Sequence, residues 1–80
     1  MDLAETELLE KITGHMQDRL EANSHKRNWR FFKTTELLDH LKDEVRELER
    51  ALINGENVWH EAADVANLAA MVADSAYERE

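Results

Sequence analysis

Two acidic pairs spaced i, i+3 stand out by their setting, Glu44 with Glu47 and Glu61 with Asp64. The spacing alone says little, because Asp2/Glu5, Glu7/Glu10, Asp18/Glu21 and Glu36/Asp39 share it. On a helical wheel advancing about 100° per residue, Glu61 projects between Leu68 and Val72, and Asp64 between Leu68 and Met71. Glu44 borders the stripe formed by Leu37, Val45 and Leu48, with Glu47 one step further out. An ionised carboxylate left in an apolar interior costs on the order of several kcal/mol unless it is paired or bound to metal. The pairs are also mirror-placed about Asn54: Glu47 lies seven residues before it and Glu61 seven after, Glu44 ten before and Asp64 ten after. An antiparallel hairpin turning at Asn54-Gly55 therefore sets Glu47 against Glu61 and Glu44 against Asp64. Like charges converging in this way call for a cation, and oxygen-only ligation selects a hard one, Mg²⁺ or Mn²⁺. The plainer alternative is that these are solvated helix faces.

A second cluster has the opposite sign. Lys26, Arg27, Arg30 and Lys33 fall beside His25 and are interleaved with Trp29, Phe31 and Phe32. The chain as a whole carries a net charge of −8, from 18 acidic and 10 basic residues, which argues against a nucleic-acid polymer as partner. One basic-aromatic patch on an acidic protein suits a small, planar, anionic ligand, unless the aromatics are core and the basic groups merely solvated. A different metal reading starts from His60-Glu61-x-x-Asp64, which is similar to the HExxH zinc helix with Asp in place of the second His. His60, however, projects away from the apolar arc on the wheel, and no clear third ligand follows. No calcium-binding loop of the EF-hand pattern occurs.

The elements that would position these groups are helices, in one domain spanning residues 1–80. There is no proline and there are only two glycines. Leu9, Ile12, Met16 and Leu20 mark one face of a helix from about Leu3 to Ala22. A polar loop follows, from Asn23 to Asn28. Thr34 or Thr35 can cap a second helix whose stripe is Leu37, Leu41, Val45, Leu48 and Leu52. Asn54-Gly55 stops it, and Asn57 can cap a third helix from about Val58 to Tyr77. That third helix is alanine-rich and apolar on most sides, which implies burial on most sides. An 80-residue chain can hardly surround it alone. The expected architecture is thus an all-α short bundle of about three helices per chain, completed by association into a homodimer or homotetramer.

The segment Leu41-Lys42-Asp43-Glu44-Val45-Arg46-Glu47-Leu48 resembles the E-E-x-x-E helix of the MazG-like all-α nucleoside triphosphate pyrophosphohydrolases. Thirteen residues after Glu47, Glu61-Ala62-Ala63-Asp64-Val65 is similar to that superfamily's E-x-x-D helix. Arg27-Asn28-Trp29-x-x-Phe32 looks like the R-D-W-x-x-F lead-in of the dCTP pyrophosphatase branch. The resemblance covers roughly residues 27–72, with Asp43 standing where the family has its first Glu. It implies Mg²⁺ (or Mn²⁺) held by Glu44, Glu47, Glu61 and Asp64, and hydrolysis of a nucleoside triphosphate to the monophosphate and pyrophosphate. Within that scheme Glu47 or Asp43 takes the proton of the attacking water. Lys33, Arg30, Lys42 or Arg46 offsets charge on the leaving pyrophosphate. Trp29 or Phe32 stacks on the base, and Asn67 hydrogen-bonds sugar or phosphate. The rival class is a non-enzymatic acidic module that oligomerises or binds a partner without metal or nucleotide. The absence of cysteine, of a basic-apolar leader and of any membrane-length apolar run leads to the expectation of a cytoplasmic protein without a membrane partner.

Overall fold

The computed structural model describes all residues except His25, Arg27 and Glu80, and the side chains of all but these, Glu78 and Arg79. Helix α1 runs Leu3–Ala22, α2 Thr34–Asn54 and α3 Val58–Arg79, with a short 3₁₀ turn at Trp29–Phe31 before α2. All regular structure among the described residues is helical, as expected, and no helix there is long and apolar enough to cross a membrane.

Local chemistry sets the ends. Asp2 caps α1 by accepting from the Glu5 N–H at 2.8 Å, while the Glu5 carboxylate reaches back to the Asp2 N–H. The cap of α2 is Lys33, one residue before the expected Thr34. There the backbone N–H of Lys33 donates to the Glu36 carboxylate at 2.9 Å, and Thr34 is the first helical residue. Its hydroxyl is used elsewhere, 2.7 Å from that of the fully buried Ser75, which ties the start of α2 to the far end of α3. Gly55 ends α2 in the left-handed conformation, φ 70°, as its sequence signal predicts. Asn57 also enters α3 from left-handed backbone, φ 56°, not from the extended form usual at a cap.

Helix α3 is the shared element and packs against both α1 and α2. The buried face of α2 is not the expected stripe. Leu37 and Ala51 are buried and Leu41, Glu44, Glu47 and Leu48 half-buried, whereas Val45 and Leu52 are exposed. Leu37, Leu41, Glu44, Leu48 and Ala51 follow a 4-3-4-3 spacing, the repeat of helices that pack side by side. Glu44 therefore sits at a core position of the α2–α3 seam. The face of α1 is rotated in the same sense: Ile12, His15, Met16, Arg19 and Asn23 turn inward, while Leu9 and Leu20 stay largely exposed.

The result is open. No residue of α1 is buried, and one chain does not enclose α3, as the chain's length leads one to expect: Ala69, Ala70 and Ala73 are exposed. The radius of gyration is 13.5 Å, against about 12 Å for a compact chain of this length. The exposed surface is 6011 Å², about 1,000 Å² more than the roughly 5,000 Å² expected for a folded monomer of this mass.

Candidate functional site

The α2–α3 hairpin brings Glu44, from the first acidic pair, to Glu61 and Asp64, the second. Glu44 lies against Asp64 and Glu61 across the seam, with Glu47 one turn along its own helix. Its carboxyl is pushed up from 4.5 to about 7, first by burial, then by the charges of Asp64 and Glu61, then by a hydrogen bond with Glu61, and least by Glu47. Glu47 and Glu61 both line a small cleft at the turn end of the hairpin. Glu61 and Asp64 supply oxygen ligands that suit a hard divalent cation, with Glu44 close enough to interact with both. Among the described residues, the set whose ligand atoms lie within 4.8 Å of one another adds His60, and neither Glu44 nor Glu47.

Two of the four carboxylates already have cationic partners. Arg19, reaching from α1, forks onto Asp64 with Nε 3.0 Å from Oδ1 and Nη2 3.4 Å from Oδ2. Both side chains are mostly buried, 23% and 15% exposed. Glu47 pairs with Arg50 on the open side of α2. His60 also turns toward the cluster, contrary to its expected outward position, with Nε2 4.0 Å from Asp64 Oδ2. His60, Glu61 and Asp64 can offer ligand atoms within 4.8 Å of one another. Asp43 is not part of the site: its carboxylate is 69% exposed and bound to Arg46 at 2.7 Å. That removes Asp43 as proton acceptor and commits Arg46 to a surface pair.

A cavity of about 480 Å³ opens beside the carboxylates. Glu44, Asp64 and Arg19 line one part of it, and Trp29, Phe32 and His40 another. The 3₁₀ turn places these aromatics, since Asn28 caps it by accepting from the Arg30 N–H at 2.9 Å. Phe32 packs at a tilt on His40, ring centres 5.5 Å apart. Of the expected ligand-binding residues, Trp29, Phe32 and Asn67 border the cavity. The Asn67 amide is occupied, however, donating to the Met16 carbonyl at 3.0 Å, so its first role is to fasten α1 to α3. Arg30 is exposed with its guanidinium over the Trp29 ring, 5.4 Å from the centre, and Lys33 is the exposed cap of α2. Neither is among the residues bordering the cavity. His25 and Arg27 lie outside the described residues.

Arg19 and His40 are the additions. Arg19 had a signal: it lies three residues after Met16 and seven after Ile12, so it is a charge on an inward face, the same criterion that singled out Glu61 and Asp64. His40 had none, being one polar residue among many on α2. Comparison of the chain with protein-family models, curated proteins and solved structures returns no match.

The raised Glu44 carboxyl has a consequence for stability. Between pH 4.5 and about 7 the folded chain holds a proton there that the unfolded chain has lost, so stability falls as pH rises through that window and levels off above it. Urea unfolding in EDTA across this range should show that decline, and Glu44→Gln should flatten it and be the more stable protein above pH 7. An unchanged slope in the variant would assign the pH dependence to other groups.

Proposed function

We propose that the chain is a Mg²⁺-dependent nucleoside triphosphate pyrophosphohydrolase, as its resemblance to the MazG-like superfamily implies. One observation carries the reading: Glu44 and Asp64 border a cavity with Trp29 and Phe32 in its wall. Its volume, about 480 Å³, lies in the usual range of small-molecule sites. Glu44, Glu61 and Asp64, with Glu47 beside them, are the residues that would hold the cation. When bound, Mg²⁺ (or Mn²⁺) supplies charge neutralisation for the phosphate oxygens and makes water more acidic. Trp29 and Phe32 offer flat apolar faces to a base, which in nucleic-acid complexes contribute about 1–3 kcal/mol per stacked base. In the hydrolysis, water oxygen adds to the α-phosphorus and the bond to the bridging oxygen breaks. Pyrophosphate leaves, and the water proton passes to Glu47, the one expected acceptor that borders the cluster.

The test is a pyrophosphate-release screen of the common NTPs and dNTPs with Mg²⁺. Release of pyrophosphate with the matching monophosphate is expected for at least one of them. Glu61→Gln should cut the rate by more than about 100-fold, beyond the range typical of residues that only support a ligand. Release of inorganic phosphate alone, or none from any nucleotide, would rule the assignment out. Trp29→Ala should weaken nucleotide binding about tenfold while leaving metal binding intact; loss of both together makes Trp29 a core anchor instead.

We also propose that the chain works as a homodimer or a homotetramer built from dimers. Leu3, Leu8 and Leu9 on α1 are exposed, as are Ala69, Ala70 and Ala73 on α3. The surplus of about 1,000 Å² is close to the roughly 800 Å² per partner that a stable interface covers. The same apolar surface is what a non-enzymatic association module would present, and metal-independent, nucleotide-independent behaviour would favour that rival. Light scattering should give a multiple of the 9.3 kDa chain mass, reduced by Ala69→Arg; a folded monomer at micromolar concentration would contradict assembly.

A further inference from the structure

The Arg19–Asp64 pair is an obstacle to the site just described. Asp64 is one of the carboxylates that would hold the cation, yet both of its oxygens already accept from one guanidinium. Arginine cannot shed its proton, so a cation that takes Asp64 leaves a charged fork behind in a mostly buried place. That fork needs a new anion. The cavity that Arg19 borders is the one that Trp29 and Phe32 border, and guanidinium geometry suits phosphate as well as it suits carboxylate. Arg46 pairs with Asp43 and Arg30 lies over the face of Trp29; Arg50 pairs with Glu47 but is largely exposed, and none of the three borders that cavity.

We propose that Arg19 is a placeholder for the cation: it holds Asp64 while no metal is bound, and passes to the substrate's phosphates when metal takes Asp64. This rests on the metal and nucleotide reading above and assigns that site a phosphate-binding residue supplied by α1. Metal and Arg19 compete for Asp64, whereas metal and phosphate cooperate through Arg19. A free cation is thereby bound weakly until the anionic ligand gives the guanidinium somewhere to go, a coupling between two ligands that works in both directions. The alternative is that Arg19 only clamps α1 to α3. Two other contacts already do so, the Asn67 amide on the Met16 carbonyl and the stacking of His15 on Trp59, ring centres 5.3 Å apart at 11°.

The two roles separate on the sign of two affinities. Mn²⁺ binding without other ligand is measured by loss of the free-ion paramagnetic resonance signal, and binding of inorganic tripolyphosphate is measured by calorimetry at saturating Mn²⁺. Arg19→Met should bind Mn²⁺ several-fold more tightly than the parent chain and tripolyphosphate about tenfold more weakly, the loss of one charge-assisted fork. Arg46→Met, which removes an equal charge from a surface pair, should move either affinity much less. Both affinities falling together, or neither changing, or Arg46→Met matching Arg19→Met, overturns the placeholder. Should Arg19→Met not fold, Arg19→Lys keeps the charge without the fork: Mn²⁺ should still bind more tightly than to the parent, and unchanged affinity overturns the proposal. A parent chain that binds no Mn²⁺ at millimolar concentration, with tripolyphosphate present or absent, removes the metal reading and the placeholder with it. A parent that binds Mn²⁺ as Arg19→Met does removes the placeholder alone.

Discussion

A carboxylate at a core position of two packed helices must find a proton, a partner or a metal, and Glu44 is in that position. The 4-3-4-3 repeat along α2 puts it where a leucine would normally sit, facing Asp64 and Glu61 on α3. Apolar burial beside it is slight: among the described residues only Leu37, Ala51 and Ala63 form the buried apolar core. The rest of the structure bears the mark of this choice. The far end of the hairpin is tied by a hydroxyl pair, Thr34 with Ser75, and α1 is joined to α3 through Asn67, through Arg19 and through ring stacking at Trp59. Polar contacts of that kind hold geometry more than they add stability, since each exchanges for a contact with water.

That arrangement explains why one face of the molecule can be both open and specific. Helix α1 buries no residue of its own, yet it reaches across α3 to set a guanidinium on Asp64. The cavity between α1, the 3₁₀ turn and the hairpin exists because α1 and α2 both lean on α3 at a distance from one another. A tighter bundle would close it, and part Trp29 and Phe32 from Glu44 and Asp64. Surface left bare by the open packing is the material from which a second copy would build its contact.

Much of the fold was legible because its signals are local. The start of α1 and the stop at Gly55 follow from capping chemistry and glycine's conformational freedom, and α3 begins at Val58 where the sequence places it. The approach of Glu44 to Asp64 and Glu61 was legible too, since a hairpin turning at Asn54 brings residues about equidistant from it near one another. Helix phase was harder. A straight wheel placed Val45 and Leu52 inward, while side-by-side packing follows a slightly shorter repeat and selects Glu44 and Ala51. Helix α1 follows its sequence pattern in part: Ile12 and Met16 turn inward as expected, but His15, Arg19 and Asn23 share that face in place of Leu9 and Leu20, chosen by what α3 offers them and not by hydrophobicity. Asn67 was read as a ligand for substrate because nothing in the chain's order reveals that Met16 would lie beside it.

The account depends on the carboxylate seam being a cation site and not merely a strained piece of helix packing. A binder of the native state alone raises stability by mass action, so thermal melts above pH 7 in EDTA and in millimolar Mg²⁺ bear on it directly. The account predicts a higher midpoint with Mg²⁺ for the parent chain, and for Glu44→Gln a higher midpoint in EDTA that Mg²⁺ no longer moves. Identical parent midpoints with and without Mg²⁺, both in the absence and in the presence of nucleotide, would contradict it.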